Sequence, residues 1–150
     1  DRLKGRDNRV YLVVGDGELN EGQVWEAAMF AAHHRLDNLV AFVDHNGKQL
    51  DGPTRDILDL PDIPGRFAAF GWQAQSVDGQ DVEAIDRAVR TAWATEGRPH
   101  MIVLETTKGA GVTEIASMAM NHHIVMTEAL AEAALAELAA ELDRLRREEA

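Results

Sequence analysis

Apolar residues along this chain switch between a strand-like and a helix-like period. Val10-Tyr11-Leu12-Val13-Val14 is a continuous apolar run closed by Gly15, which predicts a buried strand. Glu21 to Leu36 is rich in alanine with apolar residues at helical spacing and predicts a helix, and Asn38 to Asp44 predicts a second strand. Together these make a βαβ unit. Its crossover is almost always right-handed, so the carboxyl ends of both strands fall on one edge of the sheet. Gly15-Asp16-Gly17 and Asp44-His45-Asn46-Gly47 are therefore expected to meet in space.

Residues 46–64 read mostly as loop. Asn46-Gly47 and Asp51-Gly52-Pro53 are turn signals, and Pro61 and Pro64 are expected to break any helix there. A short helix at Arg66 to Phe70 stops at Gly71, a strand fits Trp72 to Val77, and Asp78-Gly79 turns the chain. Asp81 then caps a helix whose apolar face is Ile85, Ala88, Val89 and Ala92, ending near Gly97-Arg98-Pro99, and Met101 to Leu104 supplies the fourth strand. Lys108-Gly109-Ala110-Gly111 opens a stretch without period up to His123. A structureless connection of that length is uncommon in a compact domain and suggests a functional loop. Residues 127–149 predict a terminal helix with Leu135, Leu138, Leu142 and Leu145 at 3-4-3 spacing. That seam covers about two heptads, short of a sustained coiled coil, so a helix packed on its own domain or a neighbour is expected. The fold class is α/β, a parallel sheet with helices on both faces. Residues 1–150 are expected to form a single, partial domain.

Composition narrows the class of ligand. The 150 residues are 45% hydrophobic and 27% charged, ordinary for a globular chain that buries roughly 70% of its unfolded surface. A net charge of −11 repels nucleic acid and anionic membranes, so neither is an expected partner. A small anionic ligand would need local help from a cation and backbone amides. The chain has no cysteine, which removes disulfides and thiolate metal sites and is compatible with a cytoplasmic location. No apolar run approaches the roughly 20 residues of a membrane span, and there is no signal-peptide pattern. The start at Asp1-Arg2-Leu3-Lys4, without methionine, suggests a fragment of a longer protein.

The candidate chemistry lies at the two strand ends. Gly15-Asp16-Gly17 is not a dinucleotide fingerprint, because Asn20 stands at the third glycine position, and no Gly-Lys-Ser/Thr follows to make a P-loop. A purely structural turn remains open. Against it, Asp16 can ligate a cation, and flanking glycines let a bulky anion approach the backbone. Asn46, at the matching end of the neighbouring strand, adds a neutral oxygen. Magnesium commonly takes only one or two protein carboxylates when phosphates supply the rest. The helix beginning near Glu21 is expected to point its N-terminal amides at the same place.

The stretch Gly15-Asp16-Gly17-Glu18-Leu19-Asn20-Glu21-Gly22-Gln23-Val24-Trp25-Glu26-Ala27, followed by Leu36-Asp37-Asn38-Leu39 and Asp44-His45-Asn46-Gly47-Lys48-Gln49-Leu50-Asp51-Gly52, resembles the thiamine diphosphate motif of transketolases. The resemblance extends more loosely through Phe70-Gly71-Trp72, Val77-Asp78-Gly79 and Lys108-Gly109-Ala110-Gly111-Val112, covering most of residues 4–112.

It implies a divalent metal (Mg2+, or Ca2+ or Mn2+) bound by Asp16, the side-chain oxygen of Asn46 and the backbone carbonyl of Lys48. It also implies thiamine diphosphate contacts from Gly15, Asp16, Gly17, Glu18, Asn46 and His122. Glu21 would lie near a subunit interface as a relay partner in catalysis, and His122, with its register against His123 open, would face cofactor and substrate. The implied reaction is transfer of a two-carbon ketol unit between sugar phosphates. It would be completed by a pyrimidine-binding C-terminal subunit or domain in a homodimer or heterotetramer, so activity of this chain alone is not expected. His33-His34 is expected to pack at a helix end, and Trp25 and Trp72 in the core. A 2-oxo acid dehydrogenase or decarboxylase subunit with the same cofactor, and a non-catalytic scaffold retaining the site, are the alternatives. Asn20-Glu21-Gly22-Gln23-Val24-Trp25 favours the transketolase branch over the former.

Overall fold

A computed structural model describes residue 5 and residues 8–148 of the protein. The chain divides into two compact units, with the division between Thr106 and Thr107. In the first, β1 (Val10–Gly15) leads through a 3-10 turn (Gly17–Asn20) into α1 (Gly22–His33) and β2 (Leu39–His45). A small hairpin, β3 (Lys48–Gln49) and β4 (Gly52–Pro53), precedes α2 (Thr54–Leu58) and α3 (Ile63–Ala69). The unit continues with β5 (Gln73–Asp78), α4 (Val82–Ala94) and β6 (His100–Glu105). The second unit carries α5 (Thr113–Ser117) and α6 (Glu128–Glu148); residue 149, the last of the predicted tail helix, lies outside the described residues.

The four-stranded sheet has the order β1-β2-β6-β5, and every pairing is parallel. Alternate residues of the strands face opposite layers, as the pleat requires. Val14, Ala41, Val43, Met101 and Val103 pack with Ala28 and Ala31 of α1 and with Ile63 and Phe67 of α3. Val40 and Ile102 pack on the other face with Ala88 and Ala92 of α4. The predicted α/β architecture with helices on both faces is therefore present. Trp25 stacks on Phe67 with ring centroids 5.1 Å apart. Trp72 is buried and donates its indole N–H to the Ala28 carbonyl at 2.9 Å.

Four expectations change. The β1 run has the pattern of a buried strand, yet it lies at the sheet edge and Val10, Tyr11, Leu12 and Val13 are 42–66% exposed, leaving only Val14 in the core. Periodicity reports that a strand is apolar; it does not report which strands lie beside it. Helix α1 stops at His33 because Arg35 adopts φ +49°, which lets the Leu36 N–H reach back to the Ala31 carbonyl at 3.0 Å. Pro64 does not prevent a helix: it occupies the first turn of α3, where a missing N–H costs nothing, and Asp62 caps that turn through Gly65 N–H at 3.0 Å. Residues 46–64 thus hold a hairpin and helical turns, and the aperiodic stretch before His123 holds α5, whose Thr113 N–H donates to Glu137 of α6 at 2.9 Å. The predicted cap at Asp81 is present, its carboxylate accepting from the amides of Glu83 and Ala84 at 2.9 and 3.0 Å.

His100 opens β6 fully buried, and its Nε2 has no hydrogen-bond partner. Burial disfavours the imidazolium and lowers the pKa below the usual 6.5, despite a hydrogen bond to the Thr95 backbone. Because the unfolded chain takes a proton that the folded chain refuses, this contribution is complete above pH 6.5 and is lost as pH falls below it. Urea denaturation at pH 7 and pH 5.5 should therefore show a stability loss in the native protein that His100→Gln reduces, by up to about 1.4 kcal/mol per pH unit for one proton. Equal pH slopes for both proteins would rule the assignment out.

Candidate functional site

The register Gly15↔Asp44 brings the ends of β1 and β2 level, and Asp16 N–H extends the ladder to the Asp44 carbonyl at 3.1 Å. Asp16 then caps the 3-10 turn, its Oδ1 accepting from Gly17 N–H at 2.8 Å. Its Oδ2 accepts from Gly47 N–H at 2.6 Å, across from the β2 loop. Asp16 is 5% exposed, so a buried carboxylate joins the two predicted loops through backbone amides on both sides. Gly47 presents its amide with φ +72°, in the left-handed region that glycine adopts without strain.

Asn46 is fixed at both ends. Its Nδ2 donates to Asp44 Oδ2 at 2.9 Å, and its Oδ1 accepts from Lys48 N–H at 3.0 Å. Thr106 Oγ1 donates to the other Asp44 oxygen. An ionised carboxylate only accepts, so Asp44 sets the Asn46 amide with its oxygen turned outward. Lys48 is an extended residue in β3, and the Gly47 carbonyl before it accepts the N–H of Thr54, the residue that follows β4, at 3.0 Å. Successive residues of a strand direct their backbone groups to alternate edges, so the Lys48 N–H and carbonyl share the edge that carries Asn46.

Two further contacts shape the cradle. Glu18 places a carboxylate oxygen 3.1 Å from Gly15 N–H, so an anion already rests on that amide. The Gln49 side chain lies over Gly17: a Cβ there would stand 2.7 Å from Gln49 Cβ and 3.0 Å from its Oε1. That Oε1 is buried and has no hydrogen-bond partner. Among the described residues, no group of three His, Cys, Asp or Glu side chains converges on one point. Oxygen donors here come from one carboxylate, one amide and the backbone, a set suited to a hard divalent cation that keeps other ligands for itself.

The family description "Transketolase, thiamine diphosphate binding domain" matches residues 2–143 of this chain. The chain belongs to the transketolase family, in its thiamine diphosphate binding domain. Similar proteins include the 6-deoxy-6-sulfo-D-fructose transketolase subunit SqwG of Clostridium sp., 45% identical over 131 residues, covering 87% of this chain and 48% of that protein. An apulose-4-phosphate transketolase subunit of Phocaeicola vulgatus is 37% identical over 147 residues, covering 98% of this chain and 52% of its own length. The crystal structure of Campylobacter jejuni transketolase superposes with a TM-score of 0.81 at 29% identity, over 89% of this chain and 21% of that one. The chain spans about half the length of the curated relatives it matches.

Within this transketolase domain the structure brings Gly15, Asp16, Gly17, Glu18, Asn46 and Lys48 together. Glu21 stands apart at the N-cap of α1, exposed, with its carboxylate accepting from Gln23 rather than capping the helix. The element that abuts Asp16 is the 3-10 turn, which separates it from the α1 N-terminus expected there. His122 and His123 are exposed in the second unit, beside buried Asn121, whose Nδ2 donates to the carbonyls of Lys108 and Ile115 at 2.9 and 2.8 Å. His33 and His34 close α1 against each other and Phe30, away from the strand ends.

Sequence reasoning missed Gln49, and also the pair of His45 Nδ1 and Glu105 Oε2 at 2.8 Å, with Ser76 Oγ donating to the other Glu105 oxygen at 3.1 Å. That trio depends on β6 lying between β2 and β5, a neighbourhood that local pattern does not reveal. Gly17→Ala should destabilise the transketolase domain by about 1–3 kcal/mol, since the added methyl must displace Gln49. Thermal unfolding checks this, with Gly22→Ala as the control because no atom lies within 4 Å of a Cβ at that position.

Proposed function

We propose that this chain is the diphosphate-binding part of a thiamine-dependent transketolase that moves a two-carbon ketol unit between sugar phosphates. The observation that carries the reading is the buried Asp16 carboxylate, shared between Gly17 and Gly47 amides beside an Asn46 oxygen oriented by Asp44. Asp16, Asn46 Oδ1 and the Lys48 carbonyl would hold Mg2+, or Ca2+ or Mn2+ in its place. The orphaned Gln49 oxygen fits a ligand packed against this cradle.

When bound, thiamine diphosphate supplies a thiazolium carbon that stabilises a carbanion equivalent. The residues of this chain bind and orient. Asp16 and Asn46 fix the cation, and the cation offsets diphosphate charge that an acidic protein would otherwise repel. Gly15 and Gly17 keep side chains out of the approach, and Glu18 would yield the Gly15 N–H to an incoming phosphate oxygen. Glu21, exposed at the start of α1, is available for a relay contact with a second subunit. His122 would face cofactor and substrate once the protein is assembled. The pyrimidine end of the cofactor is assigned to a C-terminal subunit or domain, within a cytoplasmic homodimer or heterotetramer. The relatives' names, transketolase subunits for a sulfo-sugar or for apulose phosphate, support a divided enzyme of this kind.

The assembled protein, given Mg2+ and thiamine diphosphate, should transfer two-carbon units from a ketose phosphate to an aldose. Absence of any cofactor-dependent carbon–carbon transfer across a ketose panel would refute the activity. Calorimetric titration should show metal-dependent cofactor binding that Asp16→Ala weakens by at least about 100-fold, beyond the loss typical of partners that only support a ligand. Unchanged binding in that variant would remove Asp16 from the metal site.

A further inference from the structure

Gln49 is a residue that neither the turn chemistry nor the core explains. It sits in a two-residue strand whose ladder needs only its backbone. Its side chain reaches back across the loop junction to lie on Gly17, next to the carboxylate that ties the two loops. There its carbonyl oxygen is closed off from solvent with no donor in reach. Buried amide carbonyls are nearly always satisfied, so each exception needs a partner or a purpose. A chain selected only for folding would be served better by an apolar side chain of the same length, because removing an unsatisfied acceptor is neutral or stabilising.

The surroundings indicate what the missing partner is. Asp16 and Asn46 Oδ1 are acceptors held by backbone N–H groups, and neither has a proton to offer Gln49. Oxygen acceptors gathered without donors suit a cation or its waters. Mg2+ demands near-octahedral geometry and usually keeps several waters when only one or two carboxylates and phosphates bind it. We propose that Gln49 is a positioning residue of the metal site, its Oε1 accepting a hydrogen bond from a water on the divalent cation held by Asp16 and Asn46. The proposal rests on the metal site put forward above. It gives the β3–β4 hairpin a function: the Lys48 carbonyl would ligate the ion, and the next residue would hold the ion's water. The same contact explains why residue 17 must lack a Cβ, since any side chain there would push the Gln49 amide off this position.

The test uses the assembled holoprotein with Mn2+ as probe, read by electron paramagnetic resonance for affinity and by water-proton relaxation for bound water. Gln49→Leu should weaken Mn2+ binding by about 10- to 100-fold, the range typical of groups that orient a metal's ligands, and should change the relaxation enhancement. The thermal midpoint of the metal-free protein should stay level or rise. Gln49→Glu keeps an acceptor at the same reach and should retain Mn2+ affinity within a few-fold. Affinity within twofold of native in Gln49→Leu overturns the proposal, as does an equal loss in Gln49→Leu and Gln49→Glu, or a lowered metal-free midpoint as the only effect. Asp16→Ala separates the two readings. If it abolishes Mn2+ binding while Gln49→Leu does nothing, the metal site stands and the Gln49 role fails; if it leaves binding intact, the site itself is wrong.

Discussion

The Asp16 carboxylate, shared between the amides of Gly17 and Gly47, is the constraint on which the site geometry depends. Parallel pairing brings β1 and β2 to the same level, but it leaves the loops beyond them free to diverge. One side chain closes that gap. Hydrogen bonds to an ionised acceptor are worth about 1.5–3 kcal/mol each, enough to offset the burial of a single carboxylate only when both are made. No Lys, Arg or His side chain pairs with Asp16 among the described residues. Backbone dipoles therefore satisfy the group without neutralising it, and a full negative charge remains in place. That combination holds two loops together and keeps the charge available to a cation.

Everything beneath the junction serves to keep it still. The central strands β2 and β6 are buried on both faces, by α1 and α3 on one side and α4 on the other, so the strand ends that carry Asp44, Asn46 and Thr106 project from the most tightly held part of the sheet. Trp25 and Trp72 brace the turn before α1 and the middle of that helix through indole hydrogen bonds to the Leu19 and Ala28 carbonyls at 2.8 and 2.9 Å. The 3-10 turn is pinned twice, by Asp16 at its start and by buried Leu19 in its middle.

How much of this is legible in the chain follows from which forces are local. The βαβ unit is readable because an apolar run, an alanine-rich helix and a second run are each local patterns, and crossover handedness then brings Asp16 to Asn46 without further information. Sheet order is not local, so β1 reads as an interior strand although it lies at the edge, and the His45–Glu105 pair cannot be foreseen. Two-residue strands carry no period, which hides the hairpin and with it the placement of Gln49 over Gly17. Pro64 reads as a breaker although proline opposes a helix only beyond the first turn, and local pattern does not show where that turn begins. The residues proposed for the metal are visible because their spacing is set by the βαβ unit and the types needed are few.

The choice of Asn at position 46, rather than a second carboxylate, follows from charge and hydrogen bonding together. Asn46 uses its Nδ2 to satisfy Asp44 and its Oδ1 to accept from the Lys48 N–H. An aspartate there would place two carboxylates against each other at the 2.9 Å that now separates a donor from an acceptor, with only Thr106 left to satisfy Asp44. It would also change the balance at the proposed metal. One carboxylate leaves a divalent ion with a net positive charge, complementary to diphosphate; two would cancel it. Charges elsewhere on a chain of net charge −11 are screened over roughly 8 Å at physiological salt, so this local sum, and not the global one, decides whether an anion is accepted. The acidic surface and an anion-binding site are thus compatible, provided position 46 stays neutral.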